Sequence, residues 1–195
     1  MHRDAVIPSF QLKPGTTITQ ASPWQTSTVT LESPALEVMT DLTKVKAATI
    51  HPEQTLRQAE QTMIYQGVRM LFVVNEMPAL EGLITSTDLH GERQMSLVHS
   101  RNLRFDEMRV VDVMSALSVL DAIGLDFMRI ASVSNLIATL RSLGRNHLLV
   151  VQGTPGAAQQ IRGVVSRAQI ERQLGQPVEV TERLGNFAEV VRALL

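Results

Sequence analysis

The chain contains no cysteine, which removes disulfides, thiol nucleophiles and cysteine-based zinc sites. Aromatic residues are scarce, with one Trp, one Tyr and five Phe in 195 residues, so a core must be filled mainly by aliphatic side chains and methionine. Neither sign of charge dominates. Eighteen Lys and Arg stand against nineteen Asp and Glu, a balance that rules out a globally basic, nucleic-acid-binding surface though not a small basic patch, and a nucleic-acid partner is not the expectation. No run approaches the roughly 18 apolar residues of a spanning helix. The opening Met1-His2-Arg3-Asp4-Ala5-Val6-Ile7-Pro8 lacks the apolar stretch of a signal peptide. These absences lead to the expectation of a soluble, cytoplasmic protein with no membrane partner.

Catalytic signatures are missing too. The five histidines fall in no metal-ligand spacing such as His-Glu-x-x-His. There is no Gly-x-Ser-x-Gly elbow and no Gly-x-x-x-x-Gly-Lys-Ser/Thr loop. Gly153-Thr154-Pro155-Gly156 reads as a turn, and Met63, Met70 and Met114 sit at core-facing positions. The expectation is a non-enzyme without catalytic residues, metal site or required cofactor.

What the chain does contain is an internal repeat. Residues 51–74 lie without a gap on residues 128–151: Thr62 falls on Thr139, Gly67 on Gly144, Leu71 on Leu148, and Val73-Val74 on Val150-Val151. Each copy is followed by a Gly-apolar-apolar-hydroxyl step, Gly82-Leu83-Ile84-Thr85 and Gly163-Val164-Val165-Ser166. Each is preceded by one tripeptide class, Val38-Met39-Thr40 and Val113-Met114-Ser115. Tandem units on one plan imply a pseudo-twofold molecule with a cleft between its halves.

Within each unit the elements can be placed. Thr55-Leu56-Arg57-Gln58 is a capping box, and Gly67 supplies the left-handed residue that ends a helix. The second helix starts at Ser132, buries Val133, Leu136, Ile137 and Leu140, and stops at Gly144. Apolar runs at 70–74 and 147–151 read as strands covered on both faces. Second strands follow at 81–84 and 161–165, then short helices from Ser86 and Arg167. First strands are placed at 47–50 and 122–125. On this register Phe127, Met128 and Arg129 stand where the first unit has Ile50, His51 and Pro52. The fold class is thus α/β (α+β), two β-α-β-β-α repeats about a pseudo-twofold axis. The domain plan is an extended arm over 1–34, with one strand at 28–31 and docking through Phe10 and Trp24. Repeat 1 with a connecting helix (92–104) covers 35–104, and repeat 2 covers 105–175, opening with a helix at 109–114. A C-terminal extension covers 176–195, with a strand at 177–180 and an amphipathic helix at 186–195.

The order of these elements resembles a pair of CBS domains (cystathionine-β-synthase domains), the tandem arrangement called a Bateman module, in a small stand-alone bacterial type. Val38-Met39-Thr40, Pro52, Thr55, the apolar strand and Gly82-Leu83-Ile84-Thr85-Ser86-Thr87-Asp88 carry the resemblance. It covers roughly residues 35–175. It implies a regulatory module that binds AMP, ADP, ATP or S-adenosylmethionine between the repeats, forms a homodimer and signals to a protein target in trans.

The chemistry fits that implication. One carboxylate can accept hydrogen bonds from both ribose hydroxyls, a role assigned to Asp88. Thr85 and the N–H groups of Ser86 and Thr87 suit a phosphate. Ala48 and Thr49 would face the adenine edge, and Arg69 and His147 are the phosphate contacts that similar proteins suggest. Each has a plainer alternative: Asp88 as a first-turn acid, Thr85 as an N-cap, Arg69 as a surface residue and His147 as a strand histidine. In the second repeat Ser166 keeps its place, but Gln169 stands where the carboxylate should be. One competent nucleotide site is expected. The competing reading is a ligand-free dimerisation or scaffold module with degenerate sites.

Overall fold

The computed structural model describes residues 11, 13–17, 27–91, 107–153 and 159–180. A 3-10 turn (Ala35–Val38) leads into β1 (Met39–Asp41), then β2 (Thr49–Ile50), α1 (Leu56–Gln66), β3 (Met70–Val73), β4 (Gly82–Thr85) and α2 (Ser86–His90). The second half runs α3 (Val110–Val113), β5 (Ser115–Ala116), a 3-10 turn (Leu117–Val119), β6 (Ala122–Gly124), α4 (Leu125–Ile130) and α5 (Val133–Leu143). It ends in β7 (His147–Gln152), β8 (Gln160–Ser166) and α6 (Arg167–Leu174).

Local chemistry sets the helix limits. The Thr55 hydroxyl accepts from the Gln58 amide at 3.3 Å while Gln58 Oε1 accepts from the Thr55 amide at 2.9 Å, satisfying donors that a first turn leaves without partners. Asn135 Oδ1 accepts from the Ser132 amide at 2.9 Å in the second copy. Gly67 (φ 65°) and Gly144 (φ 62°) end these helices in the left-handed region, where a side chain would be strained.

The sheets do not follow chain order. One is β2-β3-β4-β5 and the other β1-β8-β7-β6. The lead of each repeat therefore completes the sheet of the other: Met39–Asp41 pairs antiparallel with β8, and Ser115–Ala116 pairs antiparallel with β4. The segments entering these strands are exchanged as well. The Ala35 amide donates to the Ala131 carbonyl at 2.9 Å, and the Val110 amide to the Gln54 carbonyl at 2.8 Å. Ala35 and Val38 are buried in the core beneath α5 and α6, while Val110 and Val113 are buried beneath α1 and α2. Each fully buried valine contributes about 1.5–3 kcal/mol of apolar burial. Units of packing and units of sequence are thus different objects, and residues 35–41 belong with repeat 2.

Strand alternation then makes three cores. Leu71, Val73 and Ile84 face the helices of the first unit, as Leu148, Val150 and Val165 face those of the second. The intervening residues Phe72, Leu83, Leu149 and Val164 meet in a third cluster between the two sheets. Period-two patterning with both faces buried accounts for the continuous apolar runs.

Several expected features differ. Residues 28–31 form no strand; Val29 is instead buried, and its amide donates to the Gln173 carbonyl of α6 at 3.1 Å rather than to a sheet. Residues 177–180 form no strand either. Val178 is buried and its amide bonds Glu171 Oε1 at 3.0 Å, so a side chain takes the donor a strand would have used. The expected first strand at 47–50 narrows to Thr49–Ile50. The gapless register fails ahead of the second helix: Thr49 pairs with Phe72 and Ala122 with Leu149, so Ile50 corresponds to Ile123 and not to Phe127. The extra residues form α4, which has no counterpart between β2 and α1. The expected helices at 92–104 and 186–195, and the contacts of Phe10 and Trp24, lie outside the described residues.

The exchange explains both motif glycines. A Cβ at Gly82 would run into the Ser115 carbonyl oxygen of the inserted β5, and one at Gly163 would sit 2.7 Å from the Thr40 carbonyl of the inserted β1. Gly82→Ala and Gly163→Ala should each destabilise the protein by about 1–3 kcal/mol through overpacking. Gly124→Ala, whose nearest new neighbour is the Phe127 ring at 3.4 Å, serves as a milder control. Urea unfolding midpoints of the three variants check this.

Candidate functional site

Strand β4 delivers the site's first wall. Leu83 faces the opposite sheet and Ile84 the helices, so Thr85 ends the strand at the mouth of the cleft and caps α2. Asp88 Oδ2 accepts from both the Thr85 amide and the Thr85 hydroxyl at 2.7 Å, and the Asp88 amide donates back to Thr85 Oγ1 at 3.3 Å. The expected ribose carboxylate is therefore also a helix cap.

The cleft, about 150 Å³ in volume, is built from both repeats. Leu83, Thr85, Thr87 and Asp88 come from the first. Ser115, residues 119–121, residues 144–147 and Leu149 come from the second and its lead. Four of the residues picked out by sequence meet here: Thr85, Thr87, Asp88 and His147. Ala48, Thr49, Arg69, Ser86 and Ser166 do not line it. Ala48 packs on the core of the first unit, Thr49 pairs with β3, and Ser166 caps α6, accepting from the Gln169 amide at 3.2 Å. The Ser86 amide donates to the Arg69 carbonyl at 2.9 Å. The sheet ladder has claimed the donor that the sequence reading offered to a phosphate.

Sequence reasoning passed over Asp121 and Arg145. Arg145 Nε donates to Asp121 Oδ2 at 3.1 Å and its NH2 group to the Val119 carbonyl at 3.4 Å. The signal for Arg145 lay in its place directly after Gly144; Asp121, just ahead of a weakly marked strand, had none.

His147 lines the cleft as well. Burial, then the nearby guanidinium groups of Arg167 and Arg69, push its pKa down to about 4. The imidazole is thus neutral near pH 7, a hydrogen-bonding group and not a cation.

The second motif differs in geometry as well as sequence. Gln169 turns along its helix: its Nε2 donates to Gln173 Oε1 at 3.1 Å, and its Oε1 accepts from Arg172 at 3.1 Å. No side-chain cap on the backbone of Ser166, like that of Asp88 on Thr85, is made. Nearby, Asp41 stands at the register position that Ala116 holds in β5. Burial alone would raise its pKa, but bonds from the Thr43 hydroxyl (2.7 Å) and amide (2.9 Å), with Arg162 at 3.0 Å, hold it below the usual carboxylate value. A larger cavity of about 480 Å³ lies against α4, lined by Leu125, Phe127, Arg129 and Gln152 among others. Neither motif turn contributes to it. No helix among the described residues is long and apolar enough to cross a membrane.

Residues 35–93 match the CBS domain family. No curated protein matches the chain. Among solved structures, a conserved protein from Pyrococcus horikoshii aligns with TM-score 0.53 at 16% identity, over 78% of this chain and 100% of that one. CBSX2, a CBS-pair protein from Arabidopsis thaliana, solved in complex with AMP, gives 0.50 at 16%, over 72% and 94%. The CBS domain of a bacterial CNNM/CorC-family Mg2+ transporter, in complex with the inhibitor IGN95a, gives 0.51 at 17%, over 76% and 80%. The fold is that of CBS-pair proteins.

The depressed His147 pKa has a consequence for stability. Above the unfolded value of 6.5 the histidine is neutral in both states. As pH falls from 6.5 towards 4 only the unfolded chain binds the proton, so stability drops by on the order of 3 kcal/mol. His147→Met, which installs the residue that the first repeat carries at Met70, should flatten this acid limb. Thermal melts at pH 7 and pH 5 on both proteins test it.

Proposed function

We propose that this chain, carrying the CBS domain over residues 35–93, is a non-catalytic regulatory module. It takes an adenosine-containing ligand (AMP, ADP, ATP or S-adenosylmethionine) in the cleft between its repeats and signals to a protein target in trans. The observation that carries this reading is the meeting of Thr85, Thr87 and Asp88 from one repeat with His147 from the other across one cleft. Asp88 accepts the ribose hydroxyls, and the phosphate lies towards His147, with the charges of Arg69 and Arg167 nearby. Ser166, by repeat symmetry, belongs to a second and weaker site that Gln169 leaves without a carboxylate. Ala48 and Thr49, expected at the adenine edge, do not line the cleft that holds Asp88. The AMP seen with CBSX2 supports the ligand class.

Coupling follows from the construction. A ligand touching Ser115 and residues 119–121 contacts the same segment that inserts β5 into the first sheet. Its binding energy can therefore bias the angle between repeats, as differential affinity for two arrangements requires.

A scaffold reading stands beside this one, favoured by exposed apolar side chains. Ile64 and Tyr65 on α1 are 74% and 92% exposed, and Phe127 and Ile130 on α4 are 69% and 83% exposed. Both readings include a homodimer, whose interface should approach the standard size of about 1,600 Å². Light scattering at micromolar concentration should give twice the chain mass; a strict monomer would remove the dimer from both.

Calorimetry with AMP, ADP, ATP and S-adenosylmethionine separates the readings. At least one should bind the wild type with one equivalent per chain. Asp88→Asn, which keeps a capping oxygen but removes the charge, should weaken binding by about 1.5–3 kcal/mol with little change in melting temperature. Absence of heat with all four ligands would leave the scaffold reading standing.

A further inference from the structure

We propose that Asp121 is a base-reading residue of the cleft: its carboxylate, held in place by Arg145, accepts a hydrogen bond from the exocyclic amino group of the adenine ring. This rests on the adenosine reading above and goes further, in assigning which side chain recognises the base and which chemical feature of the base it requires.

Sheet hydrogen bonds set the two repeats in register with each other. The Phe72 amide donates to the Ala48 carbonyl at 2.8 Å, and the Leu149 amide to the Asp121 carbonyl at 3.3 Å. Asp121 is therefore the counterpart of Ala48. Helix ends and following strands place Arg145, directly after Gly144, opposite Val68, directly after Gly67. The first repeat packs Ala48 and Val68 against its apolar core. At the same two positions the second repeat has an ion pair, with N and O 3.1 Å apart and each side chain a little over one-third exposed. Both residues line the cleft that holds Asp88. An exposed pair of this kind adds little stability, so replacing an apolar contact by it is not explained by folding.

The cleft lining is chemically mixed. Towards His147 the charges of Arg69 and Arg167 make the environment cationic, which suits phosphate. Val119, Leu120 and the Asp121–Arg145 pair also line the cleft. With Asp88 on the ribose and the phosphate towards His147, the base is assigned to the aliphatic side chains of Val119 and Leu120, the residues directly before Asp121. A carboxylate only accepts hydrogen bonds, so Asp121 demands an N–H donor on the base edge, and adenine presents its 6-amino group. Arg145, anchored by Asp121 and by the Val119 carbonyl, fixes the carboxylate and is a positioning residue. A base without that amino group leaves Asp121 with one hydrogen bond fewer once the ligand covers it, and this is the source of discrimination.

Calorimetry with AMP and N6,N6-dimethyl-AMP, which lacks the amino donors, on wild type and Asp121→Ala tests the assignment. Alanine is the residue that the first repeat carries at this position, and the melting temperature should stay close to wild type. The wild type should prefer AMP by tenfold or more, and Asp121→Ala should reduce that ratio to threefold or less while still binding AMP. A steric effect of the methyl groups would persist in the variant, so an unchanged ratio in Asp121→Ala overturns the proposal. Equal binding of both ligands by the wild type also overturns it, leaving the adenosine reading intact. No binding of AMP by the wild type under conditions where another adenosine ligand binds overturns it as well, whereas failure of every adenosine ligand removes the functional reading together with it.

Discussion

Two short strands laid across two glycines hold this molecule together. Met39–Asp41 and Ser115–Ala116 are each inserted into the sheet of the other repeat, and each passes so close to its glycine that no side chain fits beneath it. The four valine and alanine side chains buried at 35, 38, 110 and 113 follow from that exchange. So does the inter-sheet cluster of Phe72, Leu83, Leu149 and Val164, because the inserted strands fix the two sheets face to face. The cleft is a further product. Its walls come from opposite repeats only because the segment leading out of β5 has to return across the first unit before β6 begins.

Much of this architecture was legible in the sequence, and for physical reasons. Capping residues and left-handed glycines are local chemistry, so the limits of the two long helices at Thr55, Gly67, Ser132 and Gly144 could be read directly. The apolar runs at β3 and β7 announced strands buried on both faces. The exchange was not legible. Val-Met-Thr and Val-Met-Ser stood at the head of each repeat, and nothing in a linear pattern says that a lead folds into its neighbour. Long-range pairing chose that, along with the failure of residues 28–31 and 177–180 to become strands. The false register at Phe127 arose because the four-residue alignment ambiguity ahead of α5 was absorbed by α4, an element with no counterpart in the first copy.

The site was legible in part. Thr85 and Asp88 belong to a motif of fixed spacing, and they meet as that spacing requires. His147 was marked by its position at the head of a strand. Its neutral state was not visible, because burial and the approach of Arg69 and Arg167 are tertiary facts. Asp121 and Arg145 escaped notice because they lie 24 positions apart, with no shared pattern. Only the sheet register sets Asp121 opposite Ala48. Asymmetry is the common thread. Asp88 folds back onto Thr85 while Gln169 reaches forward to Gln173, and an ion pair in one unit stands where the other has an apolar contact.

The reciprocal exchange also bears on how such a chain could arise. A single repeat cut from this molecule leaves β4 with an unpaired edge and a lead with nothing to insert into, and an open edge of that kind invites pairing with another chain. One repeat satisfies the geometry only when a second copy offers its lead in return. In architecture the duplicated chain is thus a symmetric dimer of half-length subunits whose two members have been joined end to end. Joined in one chain, the two halves need not be identical, and the first motif turn carries a carboxylate at Asp88 where the second carries an amide at Gln169.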